Sequence, residues 1–263
     1  MQQPAVTVRT IYEAFAPYYD AFTARSDYDG VAASIERAAT DHGLRGRTLL
    51  DMACGTGSSF MPFLRTGYRV TACDISPAMV ERAAAKAPAT RTLVADIRGL
   101  GRLGQFDLVT CLDDSLNYLL DRRELGAAFA GMARNLAPGG ICAFDLNTLA
   151  AYRATFTSEA AFEAADVRFV WRGHGSPVAR PGLVASATLD AIPLGRSSSA
   201  NRVTTSHTQR HHPLGVVVEL LRQSGLDCVH VYGLRDDASL DPQVRESHHA
   251  KALYLARHGR KEV

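Results

Sequence analysis

Leu49-Leu50-Asp51-Met52-Ala53-Cys54-Gly55-Thr56-Gly57-Ser58-Ser59 decides the reading of this chain: an apolar run carrying one acid, two glycines a residue apart, then small polar residues. The pattern predicts a buried strand that enters a tight turn and then a helix. Glycine permits backbone angles closed to other residues and lets a ligand come within contact distance of the main chain. A glycine pair after a first strand marks many nucleotide sites. Phe60 stands three residues after Gly57, where the dinucleotide fingerprint needs a small residue for close helix-on-strand packing. That departure argues against NAD or FAD.

Outward from this stretch, short apolar runs alternate with amphipathic ones. Buried parallel strands are predicted at Thr48–Ala53, Arg69–Asp74, Thr92–Asp96, Phe106–Leu112 and Ile141–Leu146. Helices are predicted from Pro77 to Lys86, capped by Ser76, and from Arg122 to Leu136, stopping before Pro138-Gly139-Gly140. The βαβαβα order implies an α/β fold with a doubly wound, mostly parallel sheet. Between about Leu149 and His212 the pattern changes. Val167–Trp171, Leu183–Ile192 and Arg202–Arg210 are rich in Val, Thr, Ser and Arg and separated by Gly and Pro, which predicts antiparallel strands. A helix from Pro213 to Arg222 and strands at Cys228–Tyr232 and Ala252–Ala256 close the chain, and Ser197-Ser198-Ser199 reads as a loop. The expected organisation is an N-terminal helical segment over 1–40, a core over 41–148 and 213–263, and an antiparallel insertion over 149–212.

Composition narrows the function. The 263 residues are 46% hydrophobic and 21% charged, which fits a folded globular chain rather than a disordered one. A net charge of +2 supplies no basic stripe, so a nucleic-acid partner is not expected. No apolar run reaches membrane-spanning length, and Arg9 and Glu13 interrupt the start before a signal sequence can form, so no membrane partner and a cytoplasmic location are expected. The five cysteines contain no CxxC pair and read as small core hydrophobes, not as metal ligands. Nothing in the sequence speaks to oligomeric state.

Two acids mark the tips of the next strands. Asp74, 17 residues beyond Gly57, stands where a carboxylate can accept both ribose hydroxyl protons, though an acid there can also cap the following helix. Asp96, followed by Ile97, can accept from an adenine amino group while the isoleucine packs on the ring; the alternative is a solvated turn residue.

With the Asp51-x-x-x-Gly55-x-Gly57 loop, Asp74, Ala95-Asp96, Phe106-Asp107-Leu108-Val109 and Leu136-Ala137-Pro138-Gly139-Gly140 in order, residues 10 to 150 resemble the class I S-adenosylmethionine-dependent methyltransferases. The resemblance implies a seven-stranded sheet with a reversed last strand, and S-adenosyl-L-methionine, leaving as S-adenosyl-L-homocysteine, bound over the strand ends. It implies cofactor contacts from Ala53, Gly55, Thr56, Gly57, Asp74, Ile75, Met79, Asp96, Ile97 and Leu112. The aromatic segment Tyr12 to Phe22 resembles the lid helix of small-molecule methyltransferases, with Tyr12 and Tyr19 toward the methionine end; the alternative is plain packing.

Leu112-Asp113-Asp114-Ser115-Leu116-Asn117-Tyr118-Leu119 follows the fourth strand, where the methyl group would emerge. It resembles the corresponding stretch of natural-product N-methyltransferases and lacks the Asn-Pro-Pro-Tyr or Asp-Pro-Pro-Tyr motif of nucleobase and glutamine methylation. Helix capping by Asp113 or Asp114 accounts for one of those acids in the plainer reading. In Thr205–His212, an extended strand puts His207, Gln209 and His211 on one face, and the lack of nearby carboxylates argues against a metal. The expected catalytic set is Asp114 and His207 with Tyr19 orienting, and the expected acceptor contacts are Asp114, Asn117 and Arg210. The function expected is methyl transfer to an amine of a small natural product. O-methylation is the runner-up; a dinucleotide oxidoreductase and a non-catalytic cofactor binder are further alternatives.

Overall fold

The computed structural model describes residues 7–195 and 202–259, so the Ser197–Ser199 stretch and Met1–Pro4 lie outside the described residues. Helices α1 (Val8–Phe22) and α2 (Tyr28–Asp41) come first, their N-terminal N–H groups capped by the side chains of Thr7 and Asp27. Strand β1 (Thr48–Met52), α3 (Met61–Arg65), β2 (Arg69–Asp74), α4 (Pro77–Lys86), β3 (Arg91–Val94), β4 (Phe106–Cys111), α5 (Arg122–Asn135) and β5 (Leu136–Asn147) follow in alternation. Then come α6 (Leu149–Ala154) and four strands, β6 (Glu159–Ala164), β7 (Val167–Gly173), β8 (Val184–Pro193) and β9 (Val203–Arg210). The described chain ends with α7 (Leu214–Gln223), β10 (Leu226–Leu234), β11 (Leu240–Asp241) and β12 (Lys251–His258).

The main sheet runs β11-β10-β12-β5-β4-β1-β2-β3. Strands β1 to β5 pair in parallel, and β12 runs antiparallel to both β5 and β10, so the last long strand is the reversed one. The expected seven strands gain an eighth because the two-residue β11 pairs with the end of β10, a contact too short to leave any periodic pattern. Strand β5 also starts earlier than expected: Pro138-Gly139-Gly140 lies within it instead of ahead of it. Helix α3 has only five residues, and Phe60, just before it, is fully buried with its ring against Gly57.

Neighbouring residues of the central strands feed opposite cores, as a sheet covered on both faces requires. Leu50, Val109 and Phe144 pack beneath α5 and α7, whereas Leu49, Leu108 and Ala143 pack with residues of α2 and the α3–α4 side. Asp107 fixes the register of β1 on β4, its Oδ2 accepting from Thr48 N at 2.9 Å and from Thr48 Oγ1 at 2.5 Å. Gly46 leaves room for that carboxylate, since a Cβ there would lie 2.1 Å from it. Cys54, Cys73, Cys111 and Cys142 are buried free thiols in or beside the strands, and burial pushes all four above their ordinary pKa.

The segment between β5 and α7 forms a separate antiparallel sheet, β6-β7-β8-β9. It opens with helix α6, and β6 carries few β-formers, so neither was legible in the sequence. Its inner face packs Phe169, Leu189 and Ala191 against Phe15 of α1. A second cluster joins Tyr152 and Phe156 to Ala185 and Ala187.

Asp51, at the end of β1, is almost fully buried and accepts from Ser59 Oγ and Thr110 Oγ1, each at 2.6 Å. Burial lifts its pKa to about 6 although both hydroxyls pull it down. An acid with a raised folded-state pKa binds its proton more tightly in the folded chain, so the stability it gains from protonation is full at about pH 4 and lost as pH rises through about 6. The loss is on the order of 2 to 3 kcal/mol at most. Asp51→Asn, which mimics the protonated form, is therefore expected to flatten the fall in stability between about pH 4 and 7, measured as the difference in urea midpoints between wild type and variant.

Candidate active site

The chain leaves β1 through Ala53 and Gly55, both at positive φ (57° and 53°). Cys54 N–H still donates to Cys73 O at 2.9 Å, which keeps the turn tied to β2. At the tip of β2, the buried carboxylate of Asp74 accepts from Gly55 N–H through Oδ2 and from Ser76 N–H through Oδ1, each at 2.9 Å. Burial raises its pKa and these N–H groups oppose the rise. Ser76, not Asp74, caps α4, through Met79 N–H. Each oxygen of Asp74 retains a lone pair that can face the cavity.

That cavity encloses about 680 Å³, its mouth included. Ala53, Gly55, Asp74 and Ile75 line one side, Asp96 and Ile97 another, and Tyr12 and Tyr19 of α1 cover it. Tyr19 sits directly over the turn: a Cβ at Gly55 would lie 3.5 Å from its ring. Val8, Arg98, Ser115, Tyr118 and Leu119 also line it and were not anticipated. Asp96 is already engaged, its carboxylate accepting from Arg98 Nε and Nη2 while Arg98 also reaches Glu124. These hydrogen bonds hold the Asp96 carboxyl below its usual range.

Four expected cofactor residues do not line this space. Thr56 is buried and donates to Asp20 at 2.5 Å; Met79 is fully buried in α4. Gly57, at φ 91°, makes room for Phe60, whose ring would be 2.7 Å from a Cβ there. Leu112 faces a small neighbouring pocket beside Ala53 and Asp113. Their places in the sequence did not reveal which way each residue faces.

A second cavity, about 1320 Å³ with its mouth, lies beneath the β6–β9 sheet and shares Tyr12, Tyr19 and Tyr118 with the first. At one end Lys251 Nζ meets three carboxylates: Asp145 at 2.9 Å, Asp114 at 3.1 Å and Asp113 at 3.5 Å. Burial alone would lower the lysine pKa, but the three acids hold it well above the ordinary value. Asp113 also accepts from Tyr28 Oη at 2.7 Å, and Asp114 from Gln209 Nε2 at 2.5 Å. Asp114 makes no side-chain cap on the short helix it precedes, so the capping alternative fails for it. The other end is aromatic, with Phe15, Phe156, Phe162 and Trp171. Lys251 and Asp145 escaped sequence reading because β12 and β5 bring them to the site from opposite sides of the long insertion.

His207 lines this cavity but is not placed as a base. Thr205 Oγ1 lies 2.9 Å from Nε2 and Tyr118 Oη 2.7 Å from Nδ1, so both ring nitrogens are engaged within the protein. Burial drops its pKa to about 4, which takes away the basicity that the expected catalytic role needs. Asn117 and Arg210 are corrected too, because neither lines the cavity. Asn117 is buried, donating to Tyr152 Oη and Arg210 O and accepting from Asn147 N–H; Arg210 donates to Leu120 O. His211 pairs with Glu246 and His212 donates to Leu119 O. Among the described residues no group of three or more His, Cys, Asp or Glu is placed to hold a metal ion, and no helix is long and apolar enough to cross a membrane.

Residues 49–140 match the methyltransferase domain family. The protein is an S-adenosylmethionine-dependent methyltransferase. This methyltransferase is similar to YqeM of Bacillus subtilis, 28% identical over 225 residues, 82% of this chain and 86% of that protein. It is also similar to the dTDP-4-amino-2,3,4,6-tetradeoxy-D-glucose N,N-dimethyltransferase of Saccharopolyspora spinosa, 32% identical over 132 residues. That match spans only 49% of this chain and 53% of the relative. In fold it resembles an S-adenosylmethionine-dependent methyltransferase from Clostridium acetobutylicum, with a TM-score of 0.78, 22% identity and 95% and 99% of the two chains covered. The sugar N-methyltransferase KedS8 from Streptoalloteichus sp follows at 0.75, 21% identity and 99% and 97% coverage.

With its pKa near 4, His207 stays neutral through the physiological range. Its ring resonances in an NMR titration are expected to stay fixed between about pH 5.5 and 8, while an ordinary exposed histidine titrates there. A His207 midpoint near 6.5 would refute the burial argument.

Proposed function

We propose that this methyltransferase transfers the methyl group to an amine nitrogen of a small molecule held beneath the β6–β9 sheet. The observation that carries this reading is the acid cluster: Asp113 and Asp114 line the acceptor cavity beside the tyrosines it shares with the first cavity. Carboxylates there draw in an ammonium and orient it. The relatives named above as sugar N-methyltransferases, one of them acting on a dTDP-linked amino sugar, support the same class of acceptor.

S-Adenosylmethionine supplies an electrophilic methyl on a sulfonium, so the protein's tasks are alignment and exclusion of water. In this reading Asp74 accepts from the ribose hydroxyls, Gly55 lets the cofactor approach the main chain, and Ile75 and Ile97 pack on it. Tyr12 and Tyr19 cover it, and burial raises both phenols far above their ordinary pKa, so each stays a neutral hydrogen-bond donor. Asp114 binds the acceptor nitrogen and Tyr19 orients it. An amine needs only to lose one proton before attack. A hydroxyl needs a stronger base, and His207, the histidine lining this cavity, is too acidic to serve. That difference favours nitrogen over oxygen.

Asp74→Ala is expected to weaken S-adenosylhomocysteine about tenfold to a hundredfold, the cost of removing one charged hydrogen-bond partner. Gly55→Val is expected to do at least as much, since its φ of 53° disfavours valine and its side chain would press on Tyr19. Calorimetric titration of both folded variants checks this, and unchanged affinity in both would end the assignment. Asp114→Asn is expected to lower kcat/KM for amines by about tenfold to a hundredfold without changing cofactor affinity. Mass spectrometry of products from matched amines and alcohols tests the acceptor class, and methylation confined to the alcohols would overturn it.

A further inference from the structure

The acceptor cavity has two ends of opposite character. Its acids, Asp113 and Asp114, are at the Lys251 end, and α1, the second sheet and the turn before it present Phe15, Phe22, Phe162, Leu189 and Phe156. Most of its polar side chains are already paired, those of Thr23, Thr155 and Ser158 to main-chain oxygens. Gln209 donates to Asp114 and accepts from Asn147 Nδ2 at 3.0 Å, and Trp171 Nε1 donates to Thr155 O at 2.8 Å. His207 has both ring nitrogens engaged. A pyranose brings a hydroxyl on almost every carbon, and each one taken out of water without a partner costs binding energy. An aromatic wall offers those hydroxyls little.

A phosphate group fits no better. Among the described residues that line the cavity, Lys251 is the only Lys or Arg, and three carboxylates surround its ammonium. A diphosphate entering there would meet more negative than positive charge. One further guanidinium, that of Arg25, rests 5.6 Å from the centroid of the Phe162 ring but does not line the cavity. At about 1320 Å³ with its mouth, the space is ample for a body of several rings.

We infer that the acceptor is an amine borne on an apolar, ring-containing body with no phosphate group, its nitrogen at Asp113 and Asp114 and its body against the Phe15–Phe162 wall. The inference rests on the amine reading above and narrows it. Nucleoside-diphosphate sugars, the chemistry in the name of one relative, then fall outside this enzyme's range.

Trp171 is the only tryptophan in the chain and lines this cavity, so its fluorescence reports acceptor binding without turnover. The full-length protein, saturated with S-adenosylhomocysteine, would be titrated with phenethylamine, phenethyl alcohol, glucosamine and a thymidine diphosphate-linked amino sugar, exciting only the indole. Phenethylamine is expected to bind about tenfold or more tightly than each of the other three, a difference of about 1.4 kcal/mol. Tighter binding of glucosamine or of the nucleotide-linked sugar overturns the inference and leaves the amine reading standing. Equal binding of the amine and the alcohol overturns the amine reading itself. In Asp114→Asn the preference for phenethylamine over its alcohol is expected to shrink about tenfold while the alcohol's affinity holds. A preference that survives the substitution unchanged removes Asp114 from the site.

Discussion

Both cavities exist because α1 is wedged between the glycine turn and the second sheet. On the turn side, Asp20 accepts from Thr56 Oγ1 and Lys86 Nζ, each at 2.5 Å, and Tyr19 lies over Gly55. On the sheet side, Phe15 is buried against Phe169 and Leu189. The two attachments differ in strength. Burying one phenylalanine contributes roughly 1.5 to 3 kcal/mol, and a partly exposed lysine–aspartate pair contributes about 0 to 1. Helix α1 is thus tied more firmly to the second sheet than to the glycine turn. The β6–β9 sheet therefore supports the helix whose tyrosines line both cavities.

How much of this was legible in the sequence depended on whether a residue acts through its backbone or through its side-chain direction. The strands from β1 to β5 showed as apolar runs because a sheet buried on both faces leaves few polar positions. Asp74 was legible because a strand tip constrains where its carboxylate can go. Asp107 and Gly140 were recognised as parts of a motif, and the structure shows them to be architectural: Asp107 clamps Thr48, and a Cβ at Gly140 would lie 2.8 Å from Asp107 O. Gly57 was grouped with Gly55 by spacing, but its glycine serves the ring of Phe60. The histidine-rich stretch misled in the same way. The face shared by His207 and Gln209 was correct, since both are buried on β9, but burial took the basicity that made His207 attractive. Lys251 had no local signal at all, because its meaning comes from three carboxylates that lie far away in sequence.

The polar groups of the site fall into two kinds. Asp51, Asn117 and Asn135 are deep in the fold with structural roles; Asn135, for example, accepts from Leu103 N–H and donates to Gly101 O and Gly131 O. Such buried groups are tolerated because each is paired, and removing a partner leaves the other uncompensated. Asp113 and Asp114 differ. Both sit at positive φ (56° and 50°), an uncommon conformation outside glycine that aspartate tolerates better than most residues. The turn they form projects two carboxylates side by side into the acceptor cavity, where Tyr28, Gln209 and Lys251 fix them without neutralising both.

The placement of these acids matters because methyl transfer relocates charge. A sulfonium on one side of the tyrosine wall becomes a neutral thioether, and on the proposed amine acceptor the positive charge arrives as an alkylated ammonium on the other side. Tyr12, Tyr19 and Tyr118, each with its phenol raised by burial, remain neutral across that path. In that reading the acids Asp113 and Asp114 lie where the new cation develops, so their stabilisation of it grows as the bond forms and is greater in the transition state than with the neutral amine bound. For an alcohol acceptor the same acids work in the opposite sense. Its oxygen must gain negative character before attack, and two nearby carboxylates raise the energy of that change. In the proposed reading, one arrangement of charge thus assists transfer to nitrogen and resists transfer to oxygen, without a protein base in the reacting position.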